Sequence, residues 1–246
     1  MKADPKVQQR LLDLQAHDAA LARLEHRRRT LPELAVISEA DTRLAALRDD
    51  VTRAGTEVGD LDRELRRLED DVEQVRRRSE RDQQRMQSGS VPAKELESLQ
   101  HEVESLARRQ SALEAAELEV MERREEAETR AAAVRSSVET VTESRTAAEQ
   151  TRDAAYAQID AEAATDTGAR AAIATELPAD LIALYEKVRA VSGGVGAAQL
   201  KARRCEGCRL ELAGGELRAA RAAAPDEVLR CENCRRILVR TAESGL

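Results

Sequence analysis

The feature that most constrains this chain is a run of apolar residues spaced by alternating steps of three and four: Leu44, Leu47, Val51, Ala54, Val58, Leu61, Leu65, Leu68, Val72 and Val75. On an α-helix that spacing keeps one narrow stripe facing a partner helix, and ten consecutive matches define a coiled-coil seam. The seam breaks at Gln87-Ser88-Gly89-Ser90-Val91-Pro92. Gly and Pro punctuate the chain there, and Ser90 is placed to cap a following helix that has Pro92 in its first turn. A second seam starts at Leu96, Leu99, Val103 and Leu106 and runs on through Gln110, Glu117, Arg124, Arg145 and Arg152 to Ile159, with fourteen of its nineteen positions apolar. Helices joined by so short a turn lie antiparallel, so Val75 is expected to face the region of Val103, and Leu44 that of Val134.

Composition agrees with a rod and not with one compact globule. Of 246 residues, 35% are Asp, Glu, Lys or Arg and 1% are aromatic, with no Trp or Phe. The large side chains that fill an ordinary core are therefore missing. Pro32 interrupts the earlier pattern of Val7, Leu11, Leu14 and Leu21, and Thr30 is placed to cap a new helix, so the first arm of the hairpin breaks there. The unbroken part, residues 32 to 87, would be about 80 Å long and has little volume for an active site. His17, His26 and His101 read as solvated residues on helix faces.

Periodicity lapses after Thr165-Asp166-Thr167-Gly168 and resumes as a short amphipathic helix that starts at Pro178 and carries Leu181, Ile182, Leu184, Tyr185 and Val188. Ser192-Gly193-Gly194-Val195-Gly196 then reads either as a hinge between arm and head or as a plain helix stop. The expected organisation is a coiled-coil helical hairpin over 1–168, a short helix and Gly-rich hinge over 169–198, and a zinc ribbon over 199–246. The fold class is mainly α.

All four cysteines lie in the last 42 residues, as Cys205-Glu206-Gly207-Cys208 and Cys231-Glu232-Asn233-Cys234, with 22 residues between the pairs. Zinc prefers four thiolates in a tetrahedron, and each Cys-x-x-Cys turn brings two sulfurs to one side of the metal. The competing readings are a redox dithiol pair and unrelated thiols, but two such pairs together suit a metal better. Gly207 and Asn233, each before the second cysteine of its pair, are the residues expected to take positive φ in a chelating turn. β-prone runs at Leu210 to Leu212, Glu227 to Arg230 and Ile237 to Arg240 would supply the ribbon's strands. So small a head is expected to depend on one structural Zn²⁺ held by Cys205, Cys208, Cys231 and Cys234. Four sulfurs close the coordination shell and leave no position for a catalytic water.

Charge is unevenly spread. Residues 1–198 carry 30 basic against 40 acidic side chains, whereas residues 199–246 carry ten against seven. Arg203, Arg204, Arg209, Arg235 and Arg236 around the cysteines would contact nucleic-acid phosphate or a partner, or else offset the doubly negative zinc–thiolate centre. No aromatic side chain lies among them to stack on bases. There is no glycine-rich phosphate loop, nucleophile elbow or His-Glu metal motif, so no enzymatic activity and no small-molecule substrate are expected. No stretch has signal-peptide or transmembrane length, which sets the expectation of a cytoplasmic protein away from membranes.

The chain resembles the bacterial family of helical-hairpin proteins that end in a four-cysteine zinc ribbon. The tip and return, Lys94-Glu95-Leu96 with Leu99, Glu102, Val103 and Leu106, carry the resemblance together with Cys231-x-x-Cys234 and Arg236-Ile237-Leu238. The family often has Gly after the last cysteine, where this chain has Arg235. The resemblance implies a zinc-binding adaptor: similar proteins bind the nitrogen-type sigma factor, contact flagellar or secretion components, and in one branch bind messenger RNA. The function expected here is a non-enzymatic adaptor that engages protein partners through its coiled-coil arm and ribbon. The alternative is a regulatory protein that binds RNA or DNA through the basic ribbon.

Overall fold

The computed structural model describes residues 1–246. The fold is mainly α: a long antiparallel helical hairpin followed by a small C-terminal ribbon. Helices α1 (Pro5–Arg29), α2 (Pro32–Gln87), α3 (Ala93–Glu176) and α4 (Ala179–Val191) precede strands β1 (Ala197–Lys201) and β2 (Arg204–Cys205), helix α5 (Gly214–Ala222), and strands β3 (Leu229–Arg230) and β4 (Ile237–Val239). The chain forms two compact units, Ala35–Ala148 and Met1–Leu34 with Glu149–Leu246. That division differs from 1–168, 169–198 and 199–246, because α1 and the end of α3 share a core with the ribbon's sheet.

In the first unit α2 and α3 pair along the two seams. Leu61, Val72 and Val75 on α2 and Leu99, Leu106, Val120, Ala127 and Val141 on α3 are buried. All nineteen positions of the return seam are buried or half-buried, its polar ones included, whereas Val51 on α2 remains exposed. The arginines of the seam are paired: Arg124 bonds Asp62 at 2.5 Å and Glu128 at 2.9 Å, Arg145 bonds Asp41 at 2.6 Å, and Arg152 bonds Asp153 at 2.7 Å. Val75 lines one groove with Leu106 and Arg109, and Leu44 another with Val138 and Thr142. The register thus lies roughly one turn farther along the return helix than expected. Apolar spacing repeats with each heptad and tolerates such a slip, and the charged pairs fix the stagger.

At the tip, Gly89 has φ +68°, the left-handed region that glycine enters without steric cost. Ser90 does not cap α3; its hydroxyl meets that of Ser88 at 2.9 Å, and the Pro92 carbonyl accepts the N–H groups of Glu95 and Leu96. Thr30 likewise ends α1 instead of opening α2, its backbone N–H and hydroxyl both donating to the His26 carbonyl.

In the second unit α3 continues unbroken through Thr165–Gly168, where a lapse was expected. A helical glycine costs about 1 kcal/mol relative to alanine, and contacts on both sides outweigh it. His17 meets Asp166 at 2.7 Å, so this histidine is a half-buried partner and not a solvated residue. Arg170 bonds Asp18 at 2.8 Å.

The side chain of Asp18 is fully buried. It accepts from Arg170, from Arg189 at 3.0 Å and from the Tyr185 hydroxyl at 2.6 Å. Burial, and then the neighbouring Asp18 carboxylate, push the Tyr185 phenol well above its usual range, so it remains a donor. Gln15 extends the network by accepting the Gly196 N–H at 2.7 Å. A Cβ at Gly196 would lie 2.7 Å from the Tyr185 ring, so that position requires glycine for close approach.

The sheet has strand order β2-β1-β4-β3, with β1 and β4 parallel. Successive residues point to opposite faces. Ala197, Ile237 and Val239 join Leu11, Leu14, Leu177, Leu181 and Tyr185 in one core, while Ala198, Leu200 and Leu238 join the cysteines in another. β1 begins directly after the glycine cluster Ser192–Gly196 and adds a strand that the β-prone runs did not include. Leu210–Leu212 forms no strand and contributes only a bridge between Glu211 and Arg204. Met1–Ala3 adds to the sheet's edge, with the Ala3 N–H donating to the Asp226 carbonyl at 2.7 Å.

Replacing Asp18 with alanine leaves two guanidiniums without their buried counter-charge and is expected to cost about 3–5 kcal/mol in chemical denaturation. Tyr185→Phe removes one hydrogen bond to a charged group and is expected to cost about 1.5–3 kcal/mol. Equal costs for the two would overturn this account of the network.

Candidate metal centre

Each pair of cysteines is carried by a turn that the sequence repeats as Arg-Cys-Glu-x-Cys-Arg, at 204–209 and 230–235. The two turns are built alike. The Arg209 N–H donates to the Cys205 carbonyl and the Arg235 N–H to that of Cys231, at 2.6 and 2.9 Å. The leading arginine of each turn reaches over to the carbonyl of its closing arginine, Arg204 to Arg209 at 2.8 Å and Arg230 to Arg235 at 3.0 Å.

Positive φ falls on Arg209 (61°) and Arg235 (62°), not on Gly207 or Asn233 as expected. Arg235 therefore holds the backbone conformation for which glycine is best suited. The glycine at 207 answers to space instead: a Cβ there would lie 2.7 Å from Arg236 Cδ and 2.9 Å from Ala198 Cβ.

The four sulfurs lie within 4.8 Å of one another. Cys205 and Cys234 are 3.8 Å apart and Cys208 and Cys231 are 3.9 Å apart. A tetrahedron with zinc–sulfur bonds of about 2.3 Å has edges of about 3.8 Å, so the donor set fits zinc in number, element and spacing. Backbone N–H groups of Gly207 and Cys208 point at the Cys205 sulfur, and those of Asn233 and Cys234 at the Cys231 sulfur.

Burial pushes the Cys205 and Cys231 thiols up, so both inner sulfurs favour their protons unless a cation takes the place of those protons. Burial also acts upward on Cys234, but hydrogen bonds from the Arg236 backbone and guanidinium and from Cys231 and Cys208 outweigh it and bring the thiol down to about 7. Glu216, buried at the start of α5, accepts the Glu232 N–H at 3.0 Å and steadies the second turn. Four cysteine sulfurs at these separations supply the complete donor set of a tetrahedral zinc site.

The basic residues around the cysteines fall into two groups. Arg203, Arg204, Arg209 and Arg235 are exposed, with Arg203 bonded to the Gly245 carbonyl at 3.2 Å. Arg236 departs from the expectation of a surface contact: it is half-buried and donates to the carbonyls of Ser192, Val195 and Gly207. Arg240 is spent in the same way, on the carbonyls of Ala223, Ala224, Pro225 and Glu227. The buried Asp18 network went unread in the sequence, although a signal was there. Asp18 occupies the core-facing step between Leu14 and Leu21, where a charge needs a partner.

Fold and site together define a coiled-coil hairpin protein that carries a C4 zinc ribbon. Residues 14–193 match the CT398-like coiled coil hairpin domain and residues 204–238 the C4-type zinc ribbon domain. The chain belongs to the CT398-like coiled-coil hairpin family. It is 40% identical over 240 residues to the Mycobacterium tuberculosis protein Rv2229c, covering 98% of each chain. It is 32% identical over 213 residues to ML1638 of Mycobacterium leprae, covering 87% of this chain and 91% of that one. A solved Mycobacterium smegmatis structure superposes with a TM-score of 0.86 at 38% identity, over 98% of this chain and 100% of that chain. CT398 from Chlamydia trachomatis superposes with a TM-score of 0.68 at 17% identity, over 96% of this chain and 98% of that one, and shares the fold. No helix is long and apolar enough to cross a membrane.

Chelating zinc from the full chain is expected to abolish amide protection in the two cysteine turns, Cys205–Leu212 and Cys231–Arg236. Ala197 and Ile237, which also face the helical core, should retain theirs, as should the α2–α3 seam. Metal retention should fall as pH falls, because protons compete with zinc for each sulfur. Hydrogen exchange with and without chelator checks both the location and the extent of the loss, and uniform loss along the chain would contradict it.

Proposed function

We propose that this protein is a non-enzymatic adaptor that engages protein partners through its coiled-coil arm, with one structural zinc per chain keeping the ribbon folded as a second docking surface. The observation that carries this reading is the closed set of four sulfurs, which leaves zinc no open position for substrate or water. The arm's apolar seam is largely consumed inside the hairpin, so what it offers a partner is its outer faces, mostly charged with exposed Leu118 and Met121 among them, and the tip from Met86 to Lys94. A site that must remain in the thiolate form suits a reducing, cytoplasmic setting.

The disposition of the arginines favours a protein partner over nucleic acid. Arg236 and Arg240 direct their donors at backbone carbonyls. The only two aromatic residues are Tyr156, which lies under the Arg28 guanidinium at 4.3 Å, and the buried Tyr185, so no ring is presented for stacking bases.

The test is reciprocal capture on the tagged full chain beside a variant in which Met86–Lys94 is replaced by a Gly-Ser loop of equal length. One protein partner, recovered in both directions and lost with the tip, is the expected result. On the same sample, binding of RNA or DNA that weakens about 100-fold between 50 and 200 mM salt and disappears when Arg203, Arg209 and Arg235 are changed to alanine would overturn the reading.

A further inference from the structure

We propose that Arg236 is the positioning residue of the zinc site: one guanidinium fastens the two cysteine turns to each other and to the segment between α4 and β1, so that metal held by the cysteines also holds that segment.

The internal repeat isolates what is particular to this side chain. Leu210 and Arg236 occupy equivalent places, two residues after the second cysteine of their turns, and do the same backbone work. The Leu210 carbonyl accepts the Cys205 N–H and the Arg236 carbonyl accepts the Cys231 N–H, each at 3.0 Å. Their side chains diverge. Leu210 is 53% exposed. Arg236 instead crosses to the opposite turn, where Nη1 donates to the Gly207 carbonyl at 3.1 Å. Nη2 donates to the Ser192 carbonyl at 2.7 Å and Nε to that of Val195 at 3.2 Å. A planar fork with five donors can serve these acceptors together, which an ammonium cannot.

Gly207 is a second, independent sign of the same role. Its backbone has no need of glycine's conformational range, but any side chain there would run into Arg236 Cδ and Ala198 Cβ. The first turn is thus shaped to admit the arginine of the second. Beyond the site, the segment that Arg236 grips leads to Gly196, whose N–H is held by Gln15 of α1 at 2.7 Å. Hydrogen bonds and one peptide step therefore connect the second cysteine turn to α1 through Arg236, Val195, Gly196 and Gln15. Electrostatics act in the same direction, since four thiolates and one zinc leave two negative charges for a nearby cation to offset.

The experiment measures zinc release into excess chelator from the zinc-loaded full chain and from Arg236→Ala, Arg236→Lys, Gly207→Ala and the Arg236→Ala/Gly207→Ala double variant. Loss of an outer-shell partner is expected to speed release about 10- to 100-fold in Arg236→Ala. Arg236→Lys keeps the charge without the fork and should fall nearer to Arg236→Ala than to the parent. Gly207→Ala should also speed release, and the double variant should fall short of the product of the two single effects, since the clash with Arg236 goes with that side chain while the one with Ala198 remains. Amides of Gly194–Ala197 should exchange faster in Arg236→Ala, with those of α2 unchanged. If Arg236→Ala does not fold, Arg236→Lys and Gly207→Ala carry the same measurement. Release within about twofold of the parent for Arg236→Lys and Gly207→Ala, or effects of the two sites that add, would overturn the proposal. A parent chain that holds no zinc would overturn it together with the metal reading.

Discussion

The strands β1 and β4 are packed on both faces, and the second unit depends on that arrangement. One face meets α1, α4 and the end of α3 through Ala197, Ile237 and Val239; the other meets the cysteine cluster through Ala198, Leu200 and Leu238. A ribbon of this size has too few apolar residues to stand alone, and its core is supplied from two directions. Burial against helices provides one, and four sulfurs gathered around a cation the other. This two-sided cover meets the condition that the parallel pairing of β1 and β4 requires.

Polar groups inside that unit are tolerated because each has partners. Asp18 is fully buried yet faces Arg170, Arg189 and Tyr185, so the cost of desolvating it is met by two cations and a phenol. Such a network stabilises less than well-packed apolar residues would, but it ties α1, α3 and α4 to one another. Gly196 lies against the Tyr185 ring with no room for a side chain, which carries the same constraint into the start of β1.

In the α2–α3 unit the division of labour is different. Apolar seam residues drive the pairing, while register falls to charged residues at or beside the seam, such as Arg124 with Asp62 and Arg145 with Asp41. A heptad seam is nearly indifferent to a slip of one repeat, whereas a half-buried guanidinium is not.

The sequence by itself determined the helical hairpin, the place of its tip and the four metal ligands, because these rest on local spacing: heptads, a Gly-Pro break and two Cys-x-x-Cys turns. The repeated Arg-Cys-Glu-x-Cys-Arg was also legible, although not what its arginines touch. Tertiary structure decided the rest. It made Ala197–Lys201 a central strand although no β-prone run marked it, since a strand's partners lie elsewhere in the chain. It carried α3 through Gly168, because contacts with α1 outweigh a small local propensity. It also turned Arg236 from a surface charge into an internal brace, because only the folded chain brings Ser192, Val195 and Gly207 within reach of one guanidinium.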